Sequence, residues 1–206
     1  MNSHIPSICF KLVDNPLSTD CYSARLILEA LQVPYQSYYD SMDRFDPYVL
    51  PPLVSSNGFD HELVDQFFSF LEISVELQKQ WYPKANLNDL KQWNQFNHTL
   101  KNSLGVLRKA ALGFECFLND EVLLIHQAQV KLNQLNDHLC LQSVLEQKWL
   151  LNTEQPTLAD LVVFPQVALA SDAGVKLDDY LHIRRWINRI RHLPYFIPMS
   201  GLLAVH

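Results

Sequence analysis

Gln155–Ser171 reads QPTLADLVVFPQVALAS, and these seventeen residues constrain everything that can surround them. Thr157 stands where a helix N-cap belongs. Its hydroxyl can accept from the backbone N–H of Asp160, while the Asp160 carboxylate reaches back to the N–H of Thr157, a reciprocal capping box. From Leu158 to Ala170 only Asp160 and Gln166 are strongly polar. A helix that is apolar on every side must be enclosed by others. Pro165 removes one backbone hydrogen bond and should bend it. The sequence therefore predicts a buried central helix starting at Thr157.

The segments around it supply the enclosure. A helix from about Leu181 to Leu193 places Ile183, Trp186, Ile187 and Ile190 on one face, and Pro194 ends it. The tail that follows, YFIPMSGLLAVH after Pro194, is apolar enough to pack back on the helices. Upstream, Asn88–Leu112 and Asn119 to about Leu139 read as long helices, the second with Val122, Ile125, Gln129, Leu132 and Leu135 near one stripe. Long helices joined by short loops imply a bundle.

Toward the start, the pattern changes. Ile8–Val13 and Tyr35–Tyr39 are strand-like, with a helix between them over Cys21–Leu31 that carries Ala24, Leu28 and Leu31 on one face. Pro52–Ser55 and Phe59–Val64 flank Asn57-Gly58, a hairpin signal, and a second helix is expected from Gln66 to about Lys79. The order is β-α-β followed by β-β-α. The polar stretch QKQWYPKANLNDL then separates the two compositions. The boundaries this implies are an α/β domain over 1–79, a linker over 80–87 and an all-helical domain over 88–206.

Composition bounds the function. The hydrophobic share is 48% and the charged share 18%, values of an ordinary globular protein. No apolar run approaches the roughly eighteen residues that a membrane helix needs. The opening MNSHIPSICFKL has no basic stretch leading into a long apolar one, which predicts no secretory signal and a cytoplasmic location. A formal charge of −6 argues against a nucleic-acid partner. Arg184, Arg185, Arg189 and Arg191 cluster on one helix, where a solvated outer face accounts for them. Cys9, Cys21, Cys116 and Cys140 are scattered, with neither paired cysteine motifs nor histidines at zinc spacing, so reduced thiols and no metal are expected.

Two stretches carry a family resemblance. QPTLADLVVFPQVALASDAGVKLDDYLHIRRWINRIRHLPYFIPMSG resembles the end of the helical domain of the cytosolic glutathione transferases, including the Thr157-x-Ala159-Asp160 capping box and the Trp186 helix followed by Leu193-Pro194. NPLSTDCYSARLILEALQVPY looks like that family's first loop, first helix and second strand. The resemblance implies a thioredoxin-like α/β domain followed by an all-α helical bundle. It also implies glutathione as co-substrate, a small electrophile as second substrate, and a homodimer.

What the resemblance implies for chemistry falls on a few residues. A free thiol has a pKa of about 8.5, so the family must favour the thiolate. A hydroxyl at a helix N-terminus does this by donating to the sulfur, while the helix dipole favours its charge. Ser18 occupies that position in serine-type members; on its own, a serine just before a helix reads as a cap or turn former. Thr19 is the alternative hydroxyl if the loop is threaded one residue differently. Ser18-x-x-Cys21 has redox-pair spacing with the first cysteine replaced, and Cys21 itself reads as a small buried residue.

The family pairs glutathione's cysteinyl part with the backbone before a cis proline. Leu50 and Pro51, in Leu50-Pro51-Pro52-Leu53, match that pattern; tandem prolines could equally lead into an edge strand. An acidic residue and a small hydroxyl residue normally hold the γ-glutamyl end. Here the strict position falls on Leu63-Val64, and the nearest acidic-polar pair is Asp65 and Gln66, with Glu62 on the other side; Asp65 also reads as a plain N-cap. Only fifteen residues separate Tyr35 from Pro51, short for the helix that usually closes over glutathione, and Arg44 lies within that stretch. Trp81, Trp93, Phe96 and Phe117 are unplaced candidates for a substrate cleft. These departures keep a second expectation open: a non-catalytic binding or scaffolding protein of the same fold.

Overall fold

The computed structural model describes residues 10–14, 17–39, 53–54, 79–113 and 120–199. Among the described residues three strands form one sheet in the order β2-β1-β3: β1 is Phe10–Asp14, β2 is Tyr35–Tyr39 and β3 is Leu53–Val54. β1 and β2 run parallel with Phe10 opposite Tyr35, and β3 runs antiparallel to β1 with Leu12 opposite Leu53. Parallel neighbours require a crossover, which helix α1, Thr19–Ala30, provides. This is the thioredoxin-like β-α-β start, with β2 at the residues the sequence predicts.

The other boundaries move for physical reasons. β1 extends to Asp14 because the Asp14 carboxylate accepts from Arg25 on α1 and, at 3.1 Å, from the hydroxyl of Ser37 on β2. Strand, helix and strand are tied through one buried carboxylate. α1 starts two residues before Cys21 because Ser18, in extended conformation, caps it. The expected hairpin at Asn57-Gly58 and the body of the helix after Gln66 lie outside the described residues; residues 79–81 are helical.

The helical part follows. Helix α2 spans Leu87–Leu100 and passes through a π-helical turn, Lys101–Gly105, directly into α3, Val106–Ala111. The single rod expected over Asn88–Leu112 is thus bulged where it passes the central helix. Helix α4, Glu121–Val144, is capped by Asp120, which accepts from the N–H of Leu123 at 3.3 Å. Its buried stripe is Ala128, Leu132, Leu135 and Leu139, at i, i+4, i+7 and i+11. The anticipated stripe is corrected at two positions: Val122, 79% exposed, and Gln129, also exposed, lie together on one flank, about 100° or more around the helix from the inward face that repeats from Ala128.

Helix α5, Leu158–Ala168, is the central helix, with every residue from Leu158 to Val167 buried. The capping box forms. Asp160 Oδ2 accepts from the N–H of Thr157 at 3.0 Å, and Oδ1 accepts from the N–H of Leu150 at 3.0 Å and the indole N–H of Trp186 at 2.9 Å. One carboxylate thus joins α5, the loop before it and helix α6, Leu181–Arg191. Burial pushes this carboxyl above its usual range, against the pull of the donors around it. On α6 the predicted face of Ile183, Trp186, Ile187 and Ile190 is buried. Arg184 and Arg185 are exposed as expected; Arg189 is half-buried, and desolvation lowers its guanidinium while Asp160 opposes that shift. The tail returns to the core: the Tyr22 hydroxyl donates to the carbonyl of Ile197 at 2.7 Å, and Phe196 sits 6.1 Å from Phe164.

Candidate active site at the start of the first helix

Everything that matters here converges on the six residues Leu17–Tyr22. Ser18 Oγ accepts from the N–H of Cys21 at 3.2 Å, and the Ser18 carbonyl accepts from the N–H of Tyr22 at 3.0 Å. The first turn of α1 is therefore satisfied at its start, and its dipole places partial positive charge there. A serine hydroxyl that accepts one bond retains its own proton as a donor. Ser18 is fully buried, and Thr19, Asp20 and Cys21 are nearly so.

The helical part closes over this turn with three side chains. Gln166, on the buried α5, donates from Nε2 to Thr19 Oγ1 at 2.6 Å. Lys101, at the π-helical turn, pairs with Asp20 at 2.5 Å. Arg108, on α3 and only 3% exposed, donates from Nη1 to the carbonyl of Leu17 at 2.5 Å and from Nε to Asp172 at 3.1 Å. A buried guanidinium needs its donors met, and a backbone carbonyl plus a half-buried carboxylate meet two of them. Two cations and an amide from one half thus grip the turn that opens α1 in the other.

Of the residues singled out in the sequence, Ser18, Thr19 and Cys21 share this turn. The Thr19 hydroxyl is engaged by Gln166, and Cys21 is buried inside α1, as a small core residue would be. Leu50, Pro51, Asp65, Gln66, Glu62, Arg44 and Phe117 lie outside the described residues. Trp81 is in the core, edge-on to Tyr195 at 5.6 Å. Trp93 and Phe96 pack edge-on at 5.2 Å and, with His138 and Leu150, line a cavity of about 470 Å³ that shares no residue with the Ser18 turn. Among the described residues no cluster of His, Cys, Asp and Glu could hold a metal, and no helix is long and apolar enough to cross a membrane.

Lys101, Arg108 and Asp172 were not visible as site residues in the sequence, since each is an ordinary charge on a helix or turn. Gln166 did leave a signal. It is one of only two strongly polar side chains on a helix with no exposed face, and a buried amide must find a partner.

A sheet of parallel and antiparallel strands crossed by α1 and docked on a bundle around a capped central helix defines a protein of the glutathione transferase fold. Solved structures bear this out over nearly the whole chain. A glutathione S-transferase of Pseudomonas fluorescens superposes with a TM-score of 0.77 over 92% of this chain and 98% of its own, at 18% identity. One of Xanthobacter autotrophicus gives 0.76 over 93% and 97%, at 19% identity. A glutathione transferase homolog of Lodderomyces elongisporus, holding two glutathione molecules per subunit, gives 0.76 over 90% and 94%, at 14% identity. No protein-family model matches the chain, and no curated protein matches it.

Proposed function

We propose that this protein is a cytoplasmic glutathione-dependent transferase in which Ser18 stabilises the thiolate of glutathione for attack on a small, apolar electrophile. The observation that carries the reading is the cap: Ser18 Oγ sits at the N-terminus of α1, accepting from Cys21 and keeping a proton to donate. A hydrogen bond to a charged acceptor contributes about 1.5–3 kcal/mol, and one pKa unit corresponds to about 1.36 kcal/mol. Such a bond lowers a thiol from about 8.5 to about 7, where half of it is ionised at neutral pH. The thiol proton leaves to water, the sulfur lone pair forms the new bond to carbon, and the electrophile's leaving group departs with its bonding pair. In this reading the backbone of Leu50 before Pro51 pairs with the cysteinyl part of glutathione, and Asp65 with Gln66 holds the γ-glutamyl end. Calorimetric titration with millimolar glutathione tests it: saturable binding is expected, and no heat above dilution overturns it.

A homodimer belongs to the same proposal. Leu141, Val144 and Leu145 at the end of α4 are each more than 60% exposed, an apolar patch that a second copy would cover. Sedimentation should give twice the chain mass, halved by Leu141→Glu with Val144→Glu; a monomeric wild type removes the dimer.

One observation favours the second reading, a non-catalytic binding or scaffolding protein of this fold. Ser18 has no exposed surface. If the hydroxyl serves only as a cap, glutathione has no route to it, and Ser18→Ala should leave any measured turnover unchanged.

A further inference from the structure

Arg108 holds the peptide immediately before Ser18, and the geometry points to Arg108 as a positioning residue for that serine. It reaches across ninety-one positions of sequence to do so, from α3 of the helical part to the carbonyl of Leu17. The contact is to backbone, so it constrains the entry of the chain into α1 whatever side chain stands at 17. The carbonyl of Leu17 belongs to the same peptide unit as the Ser18 N–H, so gripping it sets the orientation of the plane from which the Ser18 side chain projects. The cap bond from Cys21 to Ser18 Oγ then has one registered geometry rather than several.

Charge gives the arrangement a second consequence. Arg108 is 3% exposed, and it brings a cationic guanidinium to the start of α1. It therefore adds positive potential next to the helix N-terminus, within one peptide unit of Ser18. Asp172, bonded to Nε at 3.1 Å, neutralises part of that potential. Arg108 and Asp172 thus act in opposite directions on a thiolate at Ser18. A cross-link that merely held two halves together would lose its effect equally from either end.

This charge effect rests on the glutathione reading above; the positioning of the turn does not, and the two are separable by experiment. The first arm is amide hydrogen exchange of the full chain without ligand, comparing wild type with Arg108→Gln and with Arg108→Lys. In Arg108→Gln the Cys21 and Tyr22 amides should exchange at least about tenfold faster while those of α5 are unchanged, and Arg108→Lys should recover part of the protection. Unchanged protection at Cys21 and Tyr22 in Arg108→Gln overturns the inference, as does a loss spread equally over α5. The second arm follows the thiolate absorbance of added glutathione against pH. Arg108→Gln should raise the apparent pKa by about 1 and Asp172→Asn should lower it, by the loss and the unmasking of one nearby charge. Shifts of the same sign in both variants overturn the electrostatic role. Wild type showing no bound thiolate overturns the glutathione reading instead, and leaves the exchange result to decide the positioning role.

Discussion

Two helix starts in this molecule use the same chemistry to different ends. At Thr157 the cap is closed on itself: the carboxylate of Asp160 takes donors from Thr157, Leu150 and Trp186. At Ser18 the cap is held from outside, by Gln166 on its neighbour Thr19, Lys101 on Asp20 and Arg108 on the carbonyl of Leu17. The first is a joint whose every bond is internal to the helical part. The second is an N-terminus kept in place by the other half of the molecule, with a hydroxyl proton still to donate. A cap that fastens and a cap that presents a donor look alike in sequence and differ in what grips them.

The difference is open to direct attack. The largest effect should come from Asp160→Ala, which leaves four buried donors without their acceptor and should cost about 3–5 kcal/mol in chemical denaturation. A loss below about 1 kcal/mol would mean the joint is not what holds α5, α6 and the loop together. Next comes Ser18→Ala, for which conjugation of a general electrophile should fall about 10- to 100-fold while stability drops by about 1 kcal/mol. Equal turnover in the two proteins would reduce Ser18 to a fastening cap like Thr157. Smallest is Thr157→Ala, expected to lower stability by about 1 kcal/mol with glutathione affinity untouched. A change in affinity there would erase the distinction between the two starts.

Much of this was legible in the residues because the rules involved are local. Thr157 and Asp160 are three apart and announce the box; Ile183, Trp186, Ile187 and Ile190 repeat at helical spacing and are all buried. β2 could be read because Val33-Pro34 precedes it and aromatic residues fill it. The stripe on α4 was misread at Val122 and Gln129 because two residues seven apart share a helix face and look inward until the packing partner is known. Arg108 and Lys101 could not be read at all. Their roles depend on which long-range surface their helix meets, and no spacing of one-dimensional sequence carries that. The glutathione contacts expected at Leu50, Pro51, Asp65 and Gln66 rest on resemblance, since those residues lie outside the described ones.

The claim at the centre is that Ser18 presents a donor and does more than fasten α1. Glycine at an N-cap costs only a few tenths of a kcal/mol relative to serine, so Ser18→Gly removes the hydroxyl and nearly spares the helix. Ultraviolet titration of the bound glutathione thiolate in wild type and Ser18→Gly therefore isolates the donor. The account predicts an apparent pKa below about 7.5 in wild type, returning toward about 8.5 in the variant. The same pKa in both proteins would contradict it.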